Sequence, residues 1–275
     1  MIEETRISRA IIKTAVDDLL NSLEVDVGIA GAGPAGLTCA YYLAKGGAKV
    51  VIFERRLNYG GGIPGGGMLF PRVVIQEKAI PIIEDIKVKI KEFAPELYTA
   101  DSVEMVAKLG TAAIDAGVRI FPAVFVEDVV IRENDRVAGL VLNWTAIHMS
   151  GLHVDPLGLK AKFVVDATGH EAQIARIIER KIYGAKFRTP TGKVMGEKSM
   201  WAKEAEEKIV QYTDEAYPGL YLAGMSVSAV YGLPRMGAIF GGMLLSGKKT
   251  AQLILQRLEE EVIISSKDSN LAAHQ

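Results

Sequence analysis

Apolar and polar positions along the chain fall into short stretches with recognisable periods. Ile7 to Leu23 carries apolar residues at helical spacing between charges, which predicts an amphipathic helix. Val25 to Ala30 is an apolar run of buried-strand length; a helix then extends through Leu43, and Lys49 to Phe53 gives a second apolar strand. Arg72 to Glu92 reads as helix or as strand and helix, and Ser102 to Ala116 as a clearer helix that stops at Gly117. Val118 to Pro122 is a short strand. The β-rich runs Phe125 to Arg132 and Arg136 to Asn143 flank Glu133-Asn-Asp as a hairpin. After a passage from Trp144 to Leu159, a buried strand spans Lys162 to Asp166, and Ala167-Thr-Gly-His170 opens a helix through Arg180. Tyr183 to Lys198, polar and rich in glycine and lysine, predicts a mobile loop over a site. A charged helix from Trp201 to Tyr212, a last strand from Gly219 to Ala223 and a long closing helix from Gly237 to Glu260 complete the pattern.

The turn after the first strand is Gly31-Ala-Gly33-Pro-Ala-Gly36, a G-x-G-x-x-G between strand and helix. Gly31 permits the tight turn, Gly33 a close approach of backbone to pyrophosphate, and Gly36 close packing of helix on sheet. The helix N-terminus adds free N–H groups and partial positive charge. Glu54 closes the second strand about twenty residues on, where an acid accepts hydrogen bonds from both ribose hydroxyls. Glu54 favours a free 2′-hydroxyl, hence NAD or FAD, whereas Arg55 and Arg56 leave a case for a 2′-phosphate. Asn58 to Gly67 then holds six glycines in ten residues, a loop that wraps a ligand backbone-first or serves as a flexible connection.

These elements predict a single α/β domain over 1–275 with a Rossmann-like dinucleotide-binding fold. It comprises an N-terminal helix (1–24), a βαβ nucleotide unit (25–58), a small antiparallel β insert (118–143) and the mobile loop (183–198). The order is similar to that of two-dinucleotide-fold flavoproteins. Those usually end the last strand with glycine and aspartate; here Met225 follows Gly224, so the expectation is the fold without the flavin and NAD in the first site.

Charge and composition narrow the partners. With 32 basic and 33 acidic residues, the chain has no electrostatic footprint for nucleic acid or an anionic membrane. Small molecules are the expected partners, and the positive mean hydropathy adds an expectation of a homo-oligomer. The single cysteine, Cys39, lies in the first helix and excludes disulfides and cysteine metal sites within one chain. No signal sequence is read at the N-terminus, which predicts a cytoplasmic location. The apolar stretch Leu220 to Ser246 is broken by Pro234 and Arg235 and reads as strand, loop and helix, not a membrane span.

The histidines are His148, His153, His170 and His274, the last in a tail of no apparent structure. His153 and Asp155 stand two apart, so an extended segment turns both to one side. His170 follows a parallel strand at its carboxyl end, where open α/β sheets present ligands. One carboxylate with one or two imidazoles suits a first-row divalent metal, iron(II) among them. Spacing alone favours the plainer reading of His170 as a capping or hydrogen-bonding residue, and Asp166 and Glu171 compete as ligands.

The segments GAGPAGLTCAYYLAKGGAKVVIFERR, GGGIPGGGMLFPRVVI, NWTAIHMSGLHVDPL, VVDATGHEA and GLYLAGMSVSAVYGLPRMGAIFGGMLLSGKKTA resemble the thiazole synthases that make the thiazole half of thiamine in archaea and eukaryotes. The resemblance covers Val25 to Ala251. It implies that NAD is a substrate: nicotinamide is lost, the ADP-ribose isomerises to a ketone, glycine condenses with it, and sulfur closes an ADP-linked thiazole carboxylate. It further implies that Ala35, Glu54, Arg55 and Gly62 hold the adenosine and phosphates. Val126 and Met225 would line the NAD site, and His153, Val154 and Asp155 the reactive end. Asp155 and His170 would bind iron(II), with the two ligands from different subunits of a homo-oligomer such as an octamer. Arg235, a cation in an apolar, glycine-rich loop, suits bidentate binding of the glycine carboxylate.

Eukaryotic members of this family carry at the position of His153 a cysteine whose sulfur they sacrifice. Its absence implies the archaeal behaviour: free sulfide as sulfur source, repeated turnover, and iron(II) as a Lewis acid. His153 would then position or deprotonate intermediates. The alternatives are an FAD-dependent oxidoreductase, an isomerase acting on a ribose bisphosphate, and a non-catalytic NAD-binding module. The last leaves the glycine loop, Asp155, His170 and Arg235 without a role.

Overall fold

The computed structural model describes residues 2–272; His274 lies outside them. The amphipathic N-terminal stretch forms α1 (Glu4–Asn21), which buries none of its side chains: Ile7, Ile11, Ile12, Val16 and Leu20 stay exposed. β1 (Glu24–Ala30) is buried without interruption from Val27 onward, as a parallel strand covered on both faces must be. α2 (Pro34–Lys45) and β2 (Val50–Glu54) follow, so the G-x-G-x-x-G turn joins strand to helix.

Of the two readings of Arg72 to Glu92, the structure takes strand and helix, and adds two further strands. β3 (Arg72–Gln76), the short α3 (Ile80–Asp85), β4 (Ile90–Ala94) and β5 (Leu97–Asp101) include an antiparallel sheet of order β3-β5-β4. Arg72-Val-Val-Ile-Gln alternates in burial over too few residues to stand out as a strand. Pro81 is tolerated because it falls in the first turn of α3.

α4 (Ser102–Asp115) is capped by Asp101, whose carboxylate accepts from the Val103 and Glu104 N–H groups. β6 (Arg119–Pro122), β7 (Val124–Ile131), β8 (Val137–Trp144), α5 (Thr145–Ser150) and β9 (Leu157–Asp166) come next. β9 begins at Leu157 and not at Lys162. Its first half pairs antiparallel with β8 and alternates buried residues with exposed Lys160 and Lys162, so no continuous apolar run marks it. α6 (Gln173–Lys181), α7 (Ala202–Tyr212), β10 (Glu215–Tyr217), β11 (Leu220–Leu222), α8 (Met225–Tyr231) and α9 (Gly241–Ala272) complete the chain.

The main sheet runs β10-β11-β9-β1-β2-β6, with the β7–β8 hairpin branching from β9. β11, β9, β1, β2 and β6 are parallel, a Rossmann-like arrangement with an antiparallel addition. α8 is buried along its whole length and too short for a period to be read. α9 starts at Gly241 and not at Gly237, because the preceding residues pair with β3: Val74 N–H donates to Ala238 O at 3.0 Å and Phe240 N–H to Val74 O at 2.9 Å. No described helix is long and apolar enough to cross a membrane.

Two contacts fix α9. Its Gly247 crosses α2 so closely that an added Cβ would lie 2.3 Å from the Ala35 carbonyl oxygen. At its start, the Gly242 N–H donates to Glu206 Oε2 at 2.7 Å, and Gln76 Nε2 donates to the same carboxylate. Glu206 Oε1 and Gln76 Oε1 are buried without a hydrogen-bond partner among the described residues. Burial pushes the Glu206 carboxyl up to about 7.

Gly247→Ala is expected to overpack the α2–α9 crossing and to lower stability to urea by about 1–3 kcal/mol. Glu206 makes stability depend on pH. The folded carboxyl keeps its proton to about 7, whereas its ordinary value is 4.5, so the folded state binds more protons between these values. This contribution is complete below the lower value and is lost as pH rises through the upper one. Glu206→Gln should flatten that fall, read from urea midpoints across the window; an unaltered profile would place the dependence elsewhere.

Candidate functional site

A cleft of about 420 Å³ opens over the carboxyl ends of the parallel strands, where Ala30, Glu54, Ala167 and Ala223 meet. This is where an open α/β sheet binds ligands. Of the residues singled out from the sequence, Gly31, Gly33, Ala35, Glu54, Arg55, Gly62, Val126, His170, Met225 and Arg235 line it. Gly36 does not line it and instead supports the turn from below, with no room for a Cβ, which would sit 2.1 Å from Gly31 O.

The end of the cleft at the G-x-G-x-x-G turn is built from backbone. No side chain caps α2, whose N-cap Gly33 is extended and whose first residue is Pro34. The first-turn N–H groups and the helix dipole therefore face an anion unopposed. The glycine loop folds onto this turn: Gly60 N–H donates to Ala32 O at 2.7 Å, and a Cβ on Gly61, at φ +56, would lie 2.9 Å from Gly33 Cα. Glu54 is buried and accepts from Ala32 N–H at 2.8 Å and Arg56 N–H at 2.9 Å. Each oxygen keeps further acceptor capacity.

Arg55 is engaged elsewhere. Its guanidinium makes a bidentate pair with Glu171 at 2.7 and 2.9 Å, which raises the arginine pKa and holds the Glu171 carboxyl below its ordinary range. The Gln173 side chain donates to Val126 O at 2.6 Å, tying α6 to β7 at the cleft wall.

The other end of the cleft centres on His170. β9 ends in Asp166, fully buried, whose carboxylate accepts from Thr168 N–H and Oγ1, Ser226 Oγ, and the Ile174 and Ala175 N–H groups. Asp166 is thus a structural anchor, and Glu171 is paired with Arg55. The turn Gly169–Glu171 carries His170, whose Nδ1 lies 2.7 Å from Glu197 Oε2, and the other oxygen of Glu197 pairs with Arg235 Nε at 3.4 Å. Glu197 went unread: one acid in a polar loop, 27 positions from His170, has no spacing that signals the contact. The 183–198 segment has no helix or strand, yet Met195, Gly196 and Lys198 N–H donate to Val230, Ala229 and Leu233, which anchors its second half.

His153, Val154 and Asp155 lie on the exposed loop after α5 and do not line the cleft of their own chain. Asn143 Nδ2 donates to Val154 O at 3.0 Å, and Trp144, Met149, Leu152 and Leu157 around them are exposed. One chain therefore does not bring Asp155 to His170, and no group of three or more His, Cys, Asp or Glu able to hold a metal occurs among the described residues. An imidazole with Nδ1 on a carboxylate presents Nε2, so His170 fits one ligand position of a first-row metal. The other donors would have to come from substrate or from a second copy. His148, by contrast, stacks on Phe125 at 4.0 Å.

The sequence model of the Thi4 family matches residues 8–240. The thiamine thiazole synthases of Desulfosudis oleivorans and Pyrococcus abyssi are each 51% identical to the chain over 258 residues, 94% of this chain and 99% of theirs. That of Methanothermobacter thermautotrophicus is 47% identical over the same length. The crystal structure of Thermovibrio ammonificans THI4 superposes with a TM-score of 0.92 at 46% identity, covering 94% of this chain and all of that one. From fold, cleft and full-length similarity together, the chain belongs to the Thi4 family.

Proposed function

We propose that this enzyme of thiazole biosynthesis builds an ADP-linked thiazole carboxylate from NAD, glycine and sulfide, uses iron(II), and turns over repeatedly. The observation that carries the reading is the continuity of one cleft, from an uncapped helix N-terminus beside Glu54 to the His170–Glu197–Arg235 cluster. The first end suits the ribose and pyrophosphate of an ADP group. The second pairs an imidazole with a half-exposed guanidinium, one for a metal and one for a substrate carboxylate.

In this reading Ala35, Glu54, Arg55 and Gly62 hold the nucleotide, while Val126 and Met225 bound it. Arg55 exchanges its Glu171 partner for a phosphate or stays as the wall behind it. Arg235 clamps the glycine carboxylate. His170 supplies one iron ligand and Asp155 of a neighbouring copy another, with His153 and Val154 arriving on the same loop. Bound iron would act as a Lewis acid. Sulfur from outside is supported by the chain's one thiol: Cys39 is fully buried in α2, and burial pushes its pKa up, so no thiolate is available to donate.

Anaerobic incubation with NAD, glycine, sulfide and iron(II), followed by mass analysis with each component omitted in turn, tests the chemistry. The expected product is heavier than ADP-ribose, needs both glycine and sulfide, and exceeds the enzyme in amount; intact NAD under every condition would sink the reading. The shared site has its own test. Asp155→Ala and His170→Ala homo-oligomers should each be inactive, and subunit exchange between them should restore about a quarter of wild-type activity, the share of sites with both ligands intact. No recovery after verified exchange would put both residues in one subunit's site or in neither.

A further inference from the structure

Glu197 sits behind the reactive wall without lining the cleft itself. Its side chain is 20% exposed, whereas those of His170 and Arg235 are about half exposed, at 50% and 51%. Its backbone is pinned on both sides: Gly196 N–H donates to Ala229 O at 2.8 Å and Lys198 N–H to Leu233 O at 2.9 Å. The Arg235 N–H returns to Lys198 O at 3.2 Å, so the carboxylate and the guanidinium share one backbone frame.

We propose that Glu197 is a positioning residue that sets both the tautomer of His170 and the orientation of Arg235. The inference rests on the reading that His170 binds metal and Arg235 binds glycine, and it adds the group that aligns them. A neutral imidazole has one N–H; with a carboxylate 2.7 Å from Nδ1 the proton is held there, and Nε2 keeps its lone pair for a cation. At Arg235 the same carboxylate takes the Nε edge, leaving the paired Nη groups for a bidentate substrate carboxylate. His170 comes from the turn after β9 and Arg235 from the loop before α9. One side chain thereby fixes the spacing between a metal ligand and a carboxylate clamp that no shared element would otherwise set.

The test uses the full-length oligomer with Glu197→Ala and Glu197→Gln. Co(II) titration followed by its visible absorbance reads metal affinity without turnover, steady-state kinetics read KM for glycine and for NAD, and thermal melting reads the fold. Glu197→Ala is expected to weaken Co(II) binding about 10- to 100-fold, as loss of a carboxylate behind a metal-binding histidine does. It should raise KM for glycine while leaving KM for NAD and the melting temperature near wild type. Glu197→Gln still accepts from Nδ1–H, so it should recover most of the Co(II) affinity yet keep the raised KM for glycine. Wild-type Co(II) affinity and glycine KM in both variants would overturn the inference, as would a parallel loss of metal, both substrates and melting temperature. A wild-type protein that binds no Co(II) would remove the functional reading and this inference with it.

Discussion

A carboxylate taken out of water is costly unless its lone pairs are filled, and Asp166 fills its own with donors from the turn after β9, the start of α6 and the start of α8. The end of β9, the turn that follows it and the start of α6 thereby meet α8, sixty residues further on, at one point under the cleft. Ser226 does double service, donating to Asp166 and accepting from Gly169 N–H at 3.1 Å, so the turn that carries His170 is held from both ends. The position of the imidazole is therefore a consequence of buried polar chemistry and not of local helix or strand preference. That is why the His170 side chain can stand half exposed and still be well placed.

The two halves of the site differ in how far they could be read from the residues. The nucleotide half is local: strand, glycines, helix and acid follow one another within thirty residues, so Gly31, Gly33 and Glu54 could be placed in the cleft from spacing alone. The half around His170 is assembled across the chain. His170 was visible because it follows a strand; Glu197 had no marker, since its partners lie on two other segments. Asp155 carries no such marker: it stands exposed and away from the cleft that His170 lines, and its role rests on the resemblance alone.

The misread elements have physical causes of the same kind. β4 shows only intermediate and exposed residues, so there is no apolar alternation to find. The start of β9 hides behind exposed lysines whose neighbours Leu159, Ala161 and Phe163 are buried. Gly237 to Phe240 is apolar enough for a helix, yet its backbone hydrogen bonds go to β3, so α9 starts later than the apolar pattern predicts. In each case a partner strand decided what propensity left open.

The contact between the two glycine segments constrains more than shape. Gly61 and Gly33 meet with no side chain between them, and a methyl group on Gly61 would reach the Gly33 backbone. The constraint runs one way: a Cβ on Gly61 would lie 2.9 Å from Gly33 Cα, whereas a Cβ on Gly33 would stay 3.9 Å from Gly61, so the loop glycine and not the turn glycine is barred from carrying a side chain. A larger residue at Gly61 would have to push the glycine loop off the first turn of α2 and so reshape the cleft wall that both glycines line.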